Sequence, residues 1–229
     1  KFALDQNYSL AVIFLIFAAI LDTLDGRIAR LIKGTSEFGK ELDSLTDFVS
    51  FGIAPAFILY FWELKNYGKI GWAITLIFSV CCVLRLARFN LVKISGDDEW
   101  KRNYFEGIPS PAGAILILLP LIYELSELQL NLDVKKFTPY LVVIVALLLI
   151  SNIPTFSLKK IKVSSQLTIF LLFGIVIIFV SLIFFTFKAL LLLGLLYLMS
   201  VPASYFLYNR TKEKLNKILK EDEDHEDIL

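Results

Sequence analysis

Apolar and polar positions alternate along this chain in long blocks rather than at a strand's or a surface helix's period. Seven apolar stretches stand out, at about 8–24, 44–62, 70–88, 111–125, 138–153, 167–187 and 189–208. Polar connectors separate them at 31–41, 63–69, 89–109, 126–137 and 154–166, with a tight link at Lys188 and a charged tail from Asn209. Several stretches fall short of the roughly 20 residues that span a bilayer, but their polar flanks extend them. Backbone in lipid must satisfy its own hydrogen bonds, so each stretch predicts an α-helix. The fold class expected is an all-α polytopic membrane bundle of about seven helices. The chain begins at Lys1 and would start outside the membrane, so the expectation includes a further first helix missing from this sequence.

Composition agrees and narrows the chemistry. Of 229 residues, 57% are hydrophobic and 20% charged, against about 45–50% and 25% for soluble domains. The two cysteines, Cys81 and Cys82, are adjacent and read as packing residues rather than a disulfide. The one histidine, His225, lies in the acidic tail, which excludes histidine triads and most zinc chemistry. Trp62, Tyr67 and Trp72 read as an interfacial aromatic belt. The basic part of the tail, Arg210 to Lys220, suits an anionic lipid surface, and its acidic end is expected to be solvated and disordered.

A net charge of +1 hides a segregation. If the seven helices alternate, 17 of the 23 Lys and Arg fall on one side, which the positive-inside rule makes cytoplasmic. Four aspartates gather at that same side: Asp22 and Asp25 in the first stretch, Asp43 and Asp47 at the start of the second. Acids within spans are costly and mark function by default. Their i/i+3 and i/i+4 spacings put each pair on one helix face. The short connector makes the two helices antiparallel neighbours, so both pairs converge on one cleft. Acids merely snorkelling from helix ends would give no reason for this spacing. Four carboxylates in a low-dielectric cleft need cations, and oxygen-only ligands select Mg²⁺ or Mn²⁺. Two such ions suit a pyrophosphate. Gly26, Ala29 and Gly39 open the walls, and Arg30 suits a phosphate.

The run Asp22-Thr-Leu-Asp25-Gly26-Arg-Ile-Ala29-Arg30, followed by Gly39, Asp43 and Asp47 at fixed spacing, resembles the CDP-alcohol phosphatidyltransferase signature. The resemblance implies a membrane bundle built on six core helices, a dinuclear metal site at the cytoplasmic surface, and transfer of a phosphatidyl group from a CDP-linked lipid to an alcohol. It implies Asp22, Asp25 and Asp43 as metal ligands. Asp47 would be the acceptor of the alcohol proton and a further ligand, and Gly26, Ala29, Arg30 and Gly39 the CDP-binding wall. It also implies a homodimer in the cytoplasmic membrane of a bacterium.

Further residues resemble the phosphatidylserine synthase branch: Gly34-Thr-Ser-Glu-Phe-Gly39, Arg85-Leu-Ala-Arg88-Phe-Asn90 and Gly107-Ile-Pro109-Ser110-Pro111. That branch implies CDP-diacylglycerol and L-serine as substrates, with membrane lipid around the site and no nucleic-acid partner. A serine pocket calls for an arginine for the carboxylate. Arg85 and Arg88 are the candidates, with Asn90 and Ser110 for neutral hydrogen bonds and Lys101 and Arg102 as weaker alternatives. Residues 1–153 then form the catalytic membrane domain, 154–208 an additional helix pair and 209–229 a cytoplasmic tail. Two alternatives stay open: another acceptor (glycerol phosphate, inositol phosphate or choline), and a cation-coupled transporter, whose acids belong near the midplane.

Overall fold

The computed structural model describes residues 1–32, 36–91, 104–128, 133–156 and 165–226. All seven apolar stretches are helical: α1 (Tyr8–Leu31), a composite rod of α2 (Glu37–Asp47), a π-helical segment (Phe48–Ile53) and α3 (Ala54–Trp62), then α4 (Gly68–Leu91), α5 (Ser110–Leu125), α6 (Val134–Ile150), α7 (Ser165–Phe184) and α8 (Thr186–Glu226). Among the described residues, four spans are long and apolar enough to cross a membrane: Tyr8–Ile28, Glu37–Trp62, Leu64–Asn90 and Thr186–Tyr208. Helix α5 has 16 residues, about 24 Å at the α-helical rise, which is less than a bilayer core.

The π segment has a local cause. Pro55 has no N–H and its ring crowds the carbonyl four residues earlier, that of Phe51. The helix widens there, and the Ala54 N–H reaches back five residues to Val49. The buried Ser79 hydroxyl, on α4, donates to the Gly52 carbonyl in this segment at 3.3 Å. The disturbed turn follows directly on Asp47, a common setting for π-bulges at functional sites.

The core is built by α3, α4, α5 and α6, with Leu59, Phe78, Cys82, Ile117 and Val145 fully enclosed. Helix α4 packs on α6 and on the composite rod, and α5 lies between α6 and α8. Nearly every described side chain of α7 is exposed, as suits a helix whose solvent is lipid. At the end opposite the aspartates, Tyr8 donates to the Phe61 carbonyl at 2.9 Å. Trp72 there stacks edge-on against Phe57 and Tyr60, consistent with the expected aromatic belt.

The connectors hold structure that the hydropathy pattern did not show. Strand β1 (Tyr104–Glu106) pairs antiparallel with β2 (Pro154–Phe156), Phe105 opposite Thr155. This short ladder replaces helix at the ends of α5 and α6. Gly107 follows it with φ of +73°, and its N–H donates to the Ile153 carbonyl at 2.9 Å. A Cβ at Gly107 would lie 2.8 Å from the carbonyl oxygens of both Leu149 and Ser151, so only glycine fits against the end of α6. The ladder also anchors α8: Ser204, fully buried, donates to the Pro154 carbonyl at 2.8 Å. Higher on α8, Gly194 faces Leu119, where a Cβ would come within 2.5 Å of Cδ2.

The tail differs from its expected disorder. Helix α8 runs on without interruption to Glu226. Beyond Pro202 the sequence contains neither Gly nor Pro and is rich in Lys, Glu and Leu, which carry favourable helix propensity.

Candidate functional site

The four aspartates meet where α1 ends and α2 begins. Ser36 starts α2 as its N-cap: its backbone is extended and its hydroxyl accepts from the Gly39 N–H at 3.0 Å. A Cβ on Gly39 would sit 3.2 Å from that hydroxyl, so the glycine serves the cap as well as opening the wall. Helix α2 has no fully buried side chain. Among the described residues it is tied laterally by Asn90, at the end of α4, whose amide donates to Ser44 Oγ at 2.9 Å. Ser44 in turn donates to the Lys40 carbonyl. The structure thus assigns Asn90 a grip on the helix that carries Asp43 and Asp47.

One carboxylate oxygen each from Asp22, Asp25 and Asp43 lies within 4.8 Å of the others. Asp22 is half-buried, while Asp25 and Asp43 are exposed. Asp47 lies deeper on the same wall, half-buried and adjacent to Asp22. Its Oδ1 is buried and has no hydrogen-bond partner among the described residues. Three converging carboxylates with a fourth unpartnered oxygen beside them form an all-oxygen donor set that fits a hard divalent cation. Without one, the carboxylates repel one another, and among the described residues Arg85 beside Asp47 offsets only part of that charge. Gly26 stands on α1 beside Asp25. Ala29 and Arg30 continue that helix by their backbone; their side chains lie outside the described residues, as do Lys101 and Arg102 altogether.

Arg85 reaches this site from α4. Its Nη1 donates to Ser110 Oγ at 3.0 Å, and Ser110 is only 1% exposed at the first turn of α5. The guanidinium also stands over the Phe89 ring, 5.6 Å from its centroid, and beside Asp47. A cation at this depth is costly unless it has work or partners there.

Arg88, one turn on, takes a different direction. Its Nη1 donates to the Ile150 carbonyl at 2.8 Å and its Nη2 to Asn152 Oδ1. Ile150 is the last residue of α6, whose final carbonyls have no partners within the helix. Arg88 supplies one of them and adds positive charge at the helix C-terminus. The structure therefore brings Arg85 and Ser110 to the aspartates and attaches Arg88 to α6.

Two nearby residues have no signal in the sequence. Tyr197, from α8, places its buried hydroxyl beside Arg85 and Thr155. Cys82, fully buried, borders Ser110 and Arg85. A tyrosine or cysteine in an apolar span is ordinary, and only the packing of α8 and α4 reveals where these groups sit.

The sequence profile of the CDP-alcohol phosphatidyltransferase family matches residues 1–200. A Helicobacter pylori protein named CDP-diacylglycerol–serine O-phosphatidyltransferase is 37% identical over 183 residues, covering 80% of this chain and 73% of its own length. A protein of the same name from Mycobacterium tuberculosis is 37% identical over 164 residues, 71% of this chain and 57% of its own. Another from Methanocaldococcus jannaschii is 42% identical over 113 residues, 49% of each chain.

Proposed function

This chain belongs to the CDP-alcohol phosphatidyltransferase family, and from that premise we propose that it transfers the phosphatidyl group of CDP-diacylglycerol to L-serine, forming phosphatidylserine and CMP. The observation that carries the reading is the convergence of Asp22, Asp25 and Asp43 next to an unpartnered Asp47 oxygen and the Arg85–Ser110 pair. One group of residues suits a pyrophosphate through bound cations, and the other suits a small anionic alcohol.

In this reading Asp22, Asp25 and Asp43 hold divalent metal, with Asp47 close enough to share it. Two Mg²⁺ or Mn²⁺ ions, when bound, neutralise the pyrophosphate and stabilise developing charge on it. Gly26, Ala29, Arg30 and Gly39 line the nucleotide side. Arg85, oriented by Ser110, binds the serine carboxylate and sets the hydroxyl toward the lipid-bearing phosphorus. Asp47 Oδ1 takes the hydroxyl proton as the serine oxygen bonds to that phosphorus. The bond from this phosphorus to the bridging oxygen breaks, and CMP leaves with the electron pair. Asn90 and Arg88 act at one remove, by fixing α2 and the end of α6.

The catalytic unit in this reading is residues 1–153, with the helix pair 154–208 packed on it and 209–229 as a tail. The site faces the cytoplasm from the cytoplasmic membrane, a placement supported by the segregation of Lys and Arg. The acceptor is serine rather than a phosphorylated alcohol: among the described residues few basic groups lie on the acceptor side, and Arg88 is engaged by α6. A homodimer is carried over from the family resemblance alone.

The test is CMP release from CDP-diacylglycerol by membranes containing the chain, with L-serine, glycerol 3-phosphate, inositol phosphate and choline compared. Release should require serine and a divalent ion. Faster release with another alcohol would sink the acceptor assignment, and no release with any would sink the transferase reading.

A further inference from the structure

Among the described residues, two buried side-chain polar atoms lack a hydrogen-bond partner, Asp47 Oδ1 and Tyr197 Oη. They come from residues 150 positions apart in the sequence, yet both interact electrostatically with the same guanidinium, that of Arg85. An unmade buried hydrogen bond leaves its desolvation cost uncompensated, so native proteins hold few of them and each calls for an explanation.

The chemistry of the neighbours limits what can satisfy Tyr197. Arginine has five donors and no acceptor, so Arg85 cannot take the phenol proton. Thr155, the other polar neighbour, has its own proton committed to the Gly107 carbonyl at 2.7 Å, and its oxygen lies near the phenol without meeting it in hydrogen-bonding geometry. Tyr197 thus offers an uncharged donor next to a cation that attracts an anion. A single carboxylate satisfies both, since its two oxygens accept several hydrogen bonds at once.

The geometry points to Tyr197 as a specificity-determining contact: its hydroxyl and the Arg85 guanidinium together hold the carboxylate of the acceptor, while Asp47, which also neighbours Arg85, takes the acceptor's hydroxyl. This rests on the reading of the acceptor as serine and extends the site to α8, which carries none of the signature residues. Position along α8 is fixed by the Ser204 bond to Pro154 and the close approach at Gly194, so the phenol is held by rigid elements. Serine carries both groups on one small molecule, its carboxylate and hydroxyl separated by two carbons, so one acceptor can engage Tyr197, Arg85 and Asp47 together.

Tyr197→Phe keeps the ring and its packing and removes only the oxygen. In membranes containing the full chain, the KM for L-serine should rise about tenfold or more, as expected for a lost hydrogen bond to a charged group. The KM for CDP-diacylglycerol and the thermal stability should stay unchanged. An unaltered serine KM, in a wild-type protein that does release CMP with serine, would overturn the role of Tyr197 and leave the acceptor assignment standing. Both KM values rising together, or a lowered melting temperature, would show a packing role and overturn it too. A wild-type protein whose CMP release ignores serine would overturn this contact and the acceptor reading together.

Discussion

Arg85 donates a hydrogen bond to the Ser110 hydroxyl at 3.0 Å, joining α4 to the first turn of α5 beside Asp47. Pro109 and Pro111 bracket Ser110 and fix the start of α5, so the serine is a rigid acceptor and the guanidinium is pre-aimed. Arg85→Lys keeps the charge and discards the fork. The KM for L-serine should rise by roughly 10- to 100-fold, the range for hydrogen bonds to charged groups. Ser110→Ala leaves the fork and loosens its aim, and should raise the same KM only about fivefold. Steady-state CMP release at varied serine measures both. A larger effect from Ser110→Ala than from Arg85→Lys would contradict this ranking.

Asp47→Asn is nearly isosteric and removes the base while leaving a side chain that hydrogen-bonds. The turnover number should fall by about 10²- to 10⁴-fold, the usual worth of a positioned general base. Melting temperature in detergent should hold or rise, because a neutral amide no longer repels Asp22. Retained turnover would remove Asp47 from the proton transfer.

The acids were legible in the sequence because lipid makes charge conspicuous and helical spacing makes it directional. Asp22, Asp25 and Asp43 needed only the 3.6-residue period and a short connector to be placed together. The helices were legible for the same solvent reason. The beginning of α2 was not, since residues 37–41 look like connector and the helix there is set by the Ser36 cap rather than by apolar burial. Nor was the ladder of three residues per strand, whose pairing spans about fifty positions. Arg85 and Arg88 show the limit of spacing arguments. They share a helix three residues apart, and the sequence does not say that one meets Ser110 and the other the end of α6. Tyr197 reaches the site only through tertiary packing, so no local pattern announces it.

Removal of metal should abolish CMP release, and Mg²⁺ or Mn²⁺ should restore it. The readout that does not depend on turnover is Mn²⁺ binding followed by electron paramagnetic resonance. Asp25→Asn and Asp43→Asn should each weaken Mn²⁺ binding at least tenfold, since even residues that only support ligands change affinity by about 10- to 100-fold. Binding unchanged in both variants would place the metal elsewhere.

Gly107 carries a prediction about stability rather than chemistry. Its φ of +73° is unfavourable for any residue with a Cβ, and that Cβ would meet the carbonyl oxygens of Leu149 in α6 and of Ser151 just after it, both at 2.8 Å. Those oxygens are backbone and cannot swing aside, and Arg88 holds the same helix end through Ile150. Gly107→Ala should therefore destabilise the protein by about 2–4 kcal/mol, combining backbone strain with a forced shift of α6. Arg88→Gln, which gives up a charged hydrogen bond but no steric fit, should lose about 1.5–3 kcal/mol. Melting in detergent gives the order. Activity should fall with the folded fraction in both, and the serine KM of the molecules that remain folded should change far less than in Arg85→Lys. If Gly107→Ala melted like the parent, the close approach of the ladder to α6 would be wrong, and with it the route by which α8 is anchored beside Arg85.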